Sequence, residues 1–283
     1  MNQENIESLV TLTKDYYDGP ADQIYRTIWG DNIHLGIPRA DGRSYDHIDA
    51  MEHTNEIMAQ SITLNSDTKV IDLGCGYGSS ARYLAANHGC RVTGTNISQK
   101  ELELATDRAA EANLSSLLSF EYGDFHDLNY PDGSFDVVWS QEAFLHGIDK
   151  NKILSECYRI LSPGGTLAFT DILVRKSTPE SDRIKIYDRV KSPDMWDVDD
   201  YETSLTELNF SIQETKDWSE HVASSYGWVR DRLKENRSAL LDRVAEDTID
   251  NTISALSFWV ESANAGKIGW AFIIAKKPHC VDS

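Results

Sequence analysis

Positive charge is what this sequence has least of. Its 283 residues carry 27 lysines and arginines against 46 aspartates and glutamates, a formal net charge of -19. Gripping a phosphate backbone requires a clustered basic footprint, and an anionic membrane surface attracts polybasic segments. Nucleic acid and membrane are therefore excluded as expected partners. Cysteine is sparse too. Cys75, Cys90, Cys157 and Cys280 form no CxxC pair, which speaks against a disulfide framework and against zinc-ligand spacing. No metal is expected. Long apolar runs are missing: the strongest near the end, Ile268 to Ala275, is far too short to span a bilayer. Met1 to Val10 holds no apolar core of signal-peptide length, so the expected location is cytoplasmic. No internal repeat or low-complexity tract interrupts the chain.

What is present is enough apolar material for a core. The hydrophobic fraction is 40% and the aromatic fraction 10%, too high for a disordered acidic chain. The length fits one large domain, or one domain with an elaborated cap. Self-repulsion on this scale destabilises a compact acidic chain unless salt screens it. A salt-adapted host and an ordinary acidic enzyme are both consistent with that charge.

From about Asp67 short apolar runs alternate with helical patterns, the signature of an α/β fold with parallel strands. The spacing predicts strands over Lys69–Leu73, Arg91–Thr95, Leu118–Tyr122, Phe135–Trp139 and Thr166–Leu173. Helices are predicted after the first two strands and over Lys150–Leu161. The organisation read from this pattern is a cap or entry segment over 1–65, a core over 66–175, a lid over 176–206 inserted after the fifth strand, and a completion of the sheet and helices over 207–283. In that last part a strand is predicted over Phe210–Thr215, a long helical region broken once over Ser224–Ala263, and a final strand over Lys267–Lys276.

The most informative segment is Val70-Ile71-Asp72-Leu73-Gly74-Cys75-Gly76-Tyr77-Gly78. A strand ends, the backbone turns on glycines, and a helix begins. Glycines allow positive φ and close approach to a ligand, and the helix start offers unpaired N–H groups. A glycine triplet of this kind also serves nicotinamide cofactors. Asp72 argues otherwise, because it places a carboxylate where an ammonium or ribose hydroxyls can be held.

On this loop the sequence resembles the class I S-adenosylmethionine (SAM) dependent methyltransferases, over about Thr68 to Leu173. Gly123-Asp124-Phe125 matches the segment whose acid meets the adenine amino group, with Phe125 against the ring. Pro163-Gly164-Gly165 matches the turn before the fifth strand. The resemblance implies a Rossmann-like α/β sheet with helices on both faces and SAM as cofactor. It implies cofactor contacts from Asp72, Gly74, Gly76, Asn96, Ile97, Asp124 and Phe125, with Tyr17 and Gln141 near the methionine end. One position departs from the pattern. The second strand of such enzymes usually ends in an acid that grips both ribose hydroxyls, and here it is Asn96. Its amide still bonds hydroxyls without charge, or it caps the following helix.

The flanks resemble the sarcosine/dimethylglycine N-methyltransferases of glycine betaine synthesis. The matching stretches are Lys14-Asp15-Tyr16-Tyr17-Asp18, Ile28 to Gly36, Trp139-Ser140-Gln141 with Leu145-His146, Asp182-Arg183-Ile184-Lys185, and Trp259 with Ala265 to Trp270. The resemblance implies transfer of methyl groups from SAM to sarcosine or dimethylglycine, a small-molecule amine as partner, and a monomer or homodimer. Methyl transfer to an amine is an in-line displacement that depends on alignment and needs no metal. Aromatic faces at Tyr16, Tyr17, Tyr25 and Trp29 suit a quaternary ammonium. Catalytic roles fall on His146, Tyr25 and Trp29. Substrate contacts fall on Tyr25, Trp29, His34, His146, Asp171 and Arg183, with Arg183, His34 and His146 as candidates for the acceptor's carboxylate. Each has a plainer reading: aromatic packing in the cap, a loop acid at Asp171, a surface ion pair at Arg183. Trp259 and Trp270 read as core. Two other functions remain open, methylation of another small acceptor and SAM binding without transfer.

Overall fold

A computed structural model describes residues 24, 28–30, 34–40 and 45–279. Its frame is a seven-stranded sheet in the order β3-β2-β1-β4-β5-β7-β6. The strands are β1 (Lys69–Leu73), β2 (Arg91–Asn96), β3 (Leu118–Tyr122), β4 (Phe135–Gln141), β5 (Leu161–Val174), β6 (Ser211–Asp217) and β7 (Ile268–Lys276). β1 is buried from its second residue onward. It pairs in parallel with β2 on one side and β4 on the other, and a strand covered on both faces reads as a continuous apolar run. Strand order reverses between β1 and β4, which opens a crevice at the carboxyl ends of those strands.

β7 pairs antiparallel with both β5 and β6. β5 begins earlier than the apolar pattern suggests, because Ser162-Pro163-Gly164-Gly165 lies inside it, opposite a register shift in β4. Gly164 takes φ +81 there, the left-handed backbone that a bulge of this kind uses.

Helices cover both faces. α1 (His47–Gln60) starts at Asp46, whose carboxylate accepts from Ile48 N at 2.9 Å. α2 (Ser79–His88) follows the glycine loop, α3 (Gln99–Glu111) follows β2, and α4 (Lys150–Ile160) precedes β5. The segment after β5 holds two helices, α5 (Glu180–Val190) and α6 (Val198–Glu207). Ile186 of α5 joins the same buried cluster as Ala168 and Ile172 of β5. Tyr201 and Leu205 of α6 join Leu167 and Phe169. Alternate residues of a strand point to opposite faces, so the two helices lie on opposite sides of the sheet.

The helical region near the end has more than a single break: α7 (Val222–Glu235), the short α8 (Arg237–Leu240) and α9 (Glu246–Asn264). The first interruption falls at Asn236, whose side-chain amide donates to Arg232 O at 2.8 Å and so competes with the helical ladder. Tyr226 of α7 meets Trp259 of α9 edge to face at 4.8 Å between ring centroids. Trp139, Trp259 and Trp270 are fully buried. Truncating any of them to alanine would cost about 3–5 kcal/mol.

Candidate active site

The crevice at the ends of β1, β2 and β4 is a cleft enclosing about 900 Å³ of empty space, open solvent at its mouth included. The glycine loop forms its floor. Gly74 N and Cys75 N donate to Thr95 O at 2.9 and 3.0 Å, which ties the loop to the end of β2. Gly74 sits at φ +76, and a Cβ there would lie 2.4 Å from Ala143 Cβ, so glycine is required by both backbone and space. Gly76, at φ +51, would meet nothing within 4 Å on the side where a Cβ would project. Asp72 is only 3% exposed and its Oδ2 has no hydrogen-bond partner among the described residues. Burial pushes its pKa up to about 7.

At the β2 end Asn96 and Glu101 both line the cleft. Asn96 Nδ2 donates to Glu101 Oε2 at 2.6 Å, and Asn96 Oδ1 accepts from Ser98 N at 3.1 Å. The carboxylate absent from the strand end is therefore present five residues later, in the first turn of α3. Sequence reasoning missed Glu101. Ser98-x-x-Glu101 reads as a capping box, and Ser98 Oγ does accept from Glu101 N at 3.2 Å. The Glu101 side chain, however, turns to Asn96. Ile97 lines the cleft beside this pair, and Gly123 and Phe125 line it at the end of β3.

At the β4 end stand Gln141, Glu142, Ala143 and His146. Gln141 Oε1 accepts from Ser80 Oγ at 2.5 Å and Trp139 Nε1 at 3.1 Å. Its Nε2 has no partner among the described residues. Glu142, also missed from sequence, takes φ +46. Its carboxylate accepts from Thr170 Oγ1 at 2.5 Å, Trp270 Nε1 at 2.7 Å and Leu35 N at 3.1 Å. Burial outweighs those hydrogen bonds and raises its pKa to about 7. Burial likewise lowers His146 to about 4, helped by the charge on Lys150, so the imidazole is neutral at neutral pH.

These features fit what three comparisons find. Residues 71–169 match the family model of a methyltransferase domain. A glycine/sarcosine/dimethylglycine N-methyltransferase of Actinopolyspora halophila is 34% identical over 94% of this chain, which spans 47% of that protein's length. A sarcosine/dimethylglycine N-methyltransferase of Halorhodospira halochloris is 33% identical over 96% of this chain and 98% of its own. A crystal structure described as a sarcosine dimethylglycine methyltransferase from Galdieria sulphuraria superposes with TM-score 0.86 at 28% identity, covering 94% of this chain and 100% of that one. The chain belongs to the sarcosine/dimethylglycine N-methyltransferase family. It is a SAM-dependent methyltransferase with the α/β fold of its class.

A methyltransferase of this family needs a cleft that takes an ammonium, a carboxylate and a ribose. The buried, unpartnered Asp72 Oδ2 and Gln141 Nε2 supply one acceptor and one donor facing the same space. Asn96 with Glu101 supplies a polar pair for hydroxyls, and the open side of Gly76 admits close approach. The residues present therefore fit SAM. Among the described residues no group of His, Cys, Asp and Glu is placed to hold a metal, and no helix is long and apolar enough to cross a membrane.

Several anticipated site residues lie elsewhere. Asp124 does not line the cleft: its Oδ1 accepts from His126 N at 2.9 Å and His126 Nδ1 at 2.6 Å. Burial pushes the Asp124 pKa up, but the His126 contacts outweigh it and hold it low. His126 Nε2 in turn accepts from Ile148 N at 3.2 Å, so Asp124 braces two loops. Asp171 is 1% exposed and accepts from Tyr201 Oη at 2.5 Å and Leu145 N at 3.2 Å. It points into the protein beneath the His146 turn. Arg183 donates to the carbonyls of Thr178, Lys176 and Arg175 at 3.2, 3.1 and 3.3 Å, and lines a different surface hollow. Trp29 is buried among rings, 6.1 Å from both His47 and Tyr226, and is not part of the cleft wall. Tyr17 and Tyr25 lie outside the described residues.

His34 is in the cleft, with a different chemistry from the one anticipated. Its Nδ1 lies 3.0 Å from Leu35 O. A carbonyl oxygen only accepts, so Nδ1 carries the proton and Nε2 a lone pair. A neutral imidazole in this tautomer cannot donate from Nε2 to the acceptor's carboxylate.

Proposed function

We propose that this enzyme methylates sarcosine and dimethylglycine on nitrogen and forms glycine betaine. The observation that carries the reading is the likeness to the Halorhodospira enzyme, which runs over nearly all of both chains. The β4 end of the cleft supports it. Glu142 offers a buried carboxylate to a cationic amine, while burial keeps His34 and His146 uncharged at neutral pH. No imidazolium then repels a sulfonium or an ammonium in a site of low dielectric.

When bound, SAM supplies an electrophilic methyl group on a sulfonium. Asp72, Gly74, Gly76, Asn96, Ile97, Glu101, Phe125 and Gln141 hold it, and His34, Glu142 and His146 face the acceptor. We place the enzyme in the cytoplasm as a monomer or homodimer. Rate comes from alignment of the amine lone pair with the methyl carbon and from exclusion of water.

The test is mass-spectrometric detection of product from SAM with glycine, sarcosine, dimethylglycine or a thioether acid. Betaine from dimethylglycine is the expected result. Methylation of the thioether acid alone would move the assignment to another small acceptor. SAM bound without any methylated product would make the chain a binding protein.

A further inference from the structure

His34 holds a buried lone pair that no group among the described residues uses. The residue is 5% exposed, its Nε2 has no hydrogen-bond partner among the described residues, and it lines the cleft. The ring is fixed from several sides. Its Nδ1 donates to Leu35 O, which also accepts from Thr54 Oγ1 of α1 at 3.2 Å. Leu35 N donates to Glu142 Oε2 at 3.1 Å at the end of β4. Gly36 N donates to Ser225 Oγ of α7 at 3.2 Å. A donor that turned the imidazole over would break the Nδ1 bond, so the lone pair stays on Nε2. Burial keeps the ring neutral, with a pKa near 4.

An unpartnered acceptor buried in a substrate cleft is costly unless the substrate brings a donor. Of the two acceptors proposed above, only one does so in its reactive form. Neutral sarcosine keeps one N–H beside its lone pair; neutral dimethylglycine has none.

We propose that His34 Nε2 accepts the N–H of sarcosine and thereby aligns the nitrogen for the first methyl transfer, a contact the second transfer does not have. The inference rests on the acceptor reading given above. With the N–H on Nε2, the nitrogen lone pair points away from the ring toward the methyl carbon. The nitrogen forms the new N–C bond while the S–C bond breaks, its electron pair remaining on sulfur. The resulting dimethylammonium still carries the hydrogen that His34 holds. That hydrogen stays on nitrogen, donated to Nε2, until the product leaves, and water takes it after release, because burial disfavours a charged ring at His34. In the second transfer the nitrogen becomes quaternary and no proton is lost.

The experiment compares kcat/KM for sarcosine and for dimethylglycine in wild type, His34→Phe and His34→Gln. Assays at about pH 9 leave a measurable fraction of both amines neutral. The ratio of sarcosine to dimethylglycine kcat/KM should fall at least about tenfold in His34→Phe. His34→Gln, whose amide oxygen can accept, should recover part of it. A second readout is the imidazole 15N spectrum with S-adenosylhomocysteine present. The Nε2 signal that His34→Gln removes should move on adding sarcosine and stay in place on adding betaine, which has no N–H. Equal losses on both acceptors, or an Nε2 signal indifferent to sarcosine, would overturn the inference alone. Wild type inert toward both acceptors would overturn the acceptor reading and this inference with it.

Discussion

Asn96 hands its side-chain amide to Glu101 across 2.6 Å, at the corner of the cleft where β2 gives way to α3. A neutral strand-end residue and a helical carboxylate together occupy the place where one acid usually stands. Glu101 is 4% exposed, so whatever it binds there is shielded from water. Glu101→Ala should weaken SAM binding about 10- to 100-fold in calorimetry, the range for a hydrogen bond to a buried charge. Asn96→Asp places a second carboxylate against the first and should weaken it as well. Unchanged affinity in both variants would remove this corner from the cofactor site.

Asp72 makes SAM affinity depend on pH. Burial raises its pKa to about 7 in the ligand-free protein, so below that value the group is protonated and neutral. A cationic ligand is held by the ionised form. Affinity should therefore rise as pH climbs from about 5.5 to about 7.5, approaching tenfold per unit on the acid side. Asp72→Asn should flatten the profile. A flat wild-type profile would show that Asp72 does not pair with a positive charge on the cofactor.

The glycine loop of the cleft was legible because its constraint is on backbone. Gly74 must be glycine, at φ +76 with Ala143 Cβ 2.4 Å from where a Cβ would stand, and that need shows in the residue type itself. The acceptor half was less legible. Glu142 is ordinary in sequence, and its importance comes from a left-handed φ of +46 and from donors on Leu35, Thr170 and Trp270. Those partners are remote in the chain. Asp171 and Arg183 are turned away from the cleft for the opposite reason. Their type suits the chemistry, but the packing of α6 and the start of α5 turns them to Tyr201 and to backbone carbonyls. The antiparallel course of β7 was also hidden, since a strand buried on both faces reads alike in either direction.

Arg183 separates a fold role from a substrate role. Its guanidinium ties the Arg175–Thr178 loop to the first turn of α5 through three backbone carbonyls. Arg183→Ala should lower stability by about 1–2 kcal/mol, which is a few degrees in melting temperature for a chain of this size. The Michaelis constants for sarcosine and dimethylglycine should stay within about twofold of wild type, well under the tenfold that 1.4 kcal/mol of lost binding gives. A large rise for either acceptor, with stability intact, would return Arg183 to the acceptor's carboxylate.

The scarcity of basic residues makes a prediction about salt. With 46 acids against 27 bases, repulsion outnumbers attraction even if every base is paired. Surface pairs such as Arg237 with Glu246 and Asp250, at 2.6 and 3.0 Å, are exposed and lose strength in salt, but exposed pairs contribute little to begin with. The unpaired surplus is the larger effect. Potassium chloride shortens the screening length from about 10 Å at 0.1 M to about 3 Å at 1 M, which should relieve that repulsion. Melting temperature in differential scanning calorimetry should rise by several degrees over this range. A sucrose series separates screening from general solute exclusion, because sucrose strengthens burial without screening charge. A charge-reversed variant with exposed glutamates on α9 changed to lysine should gain less from salt than wild type. Equal gains in both, or a fall in melting temperature with salt, would show that the acidic surplus does not govern stability.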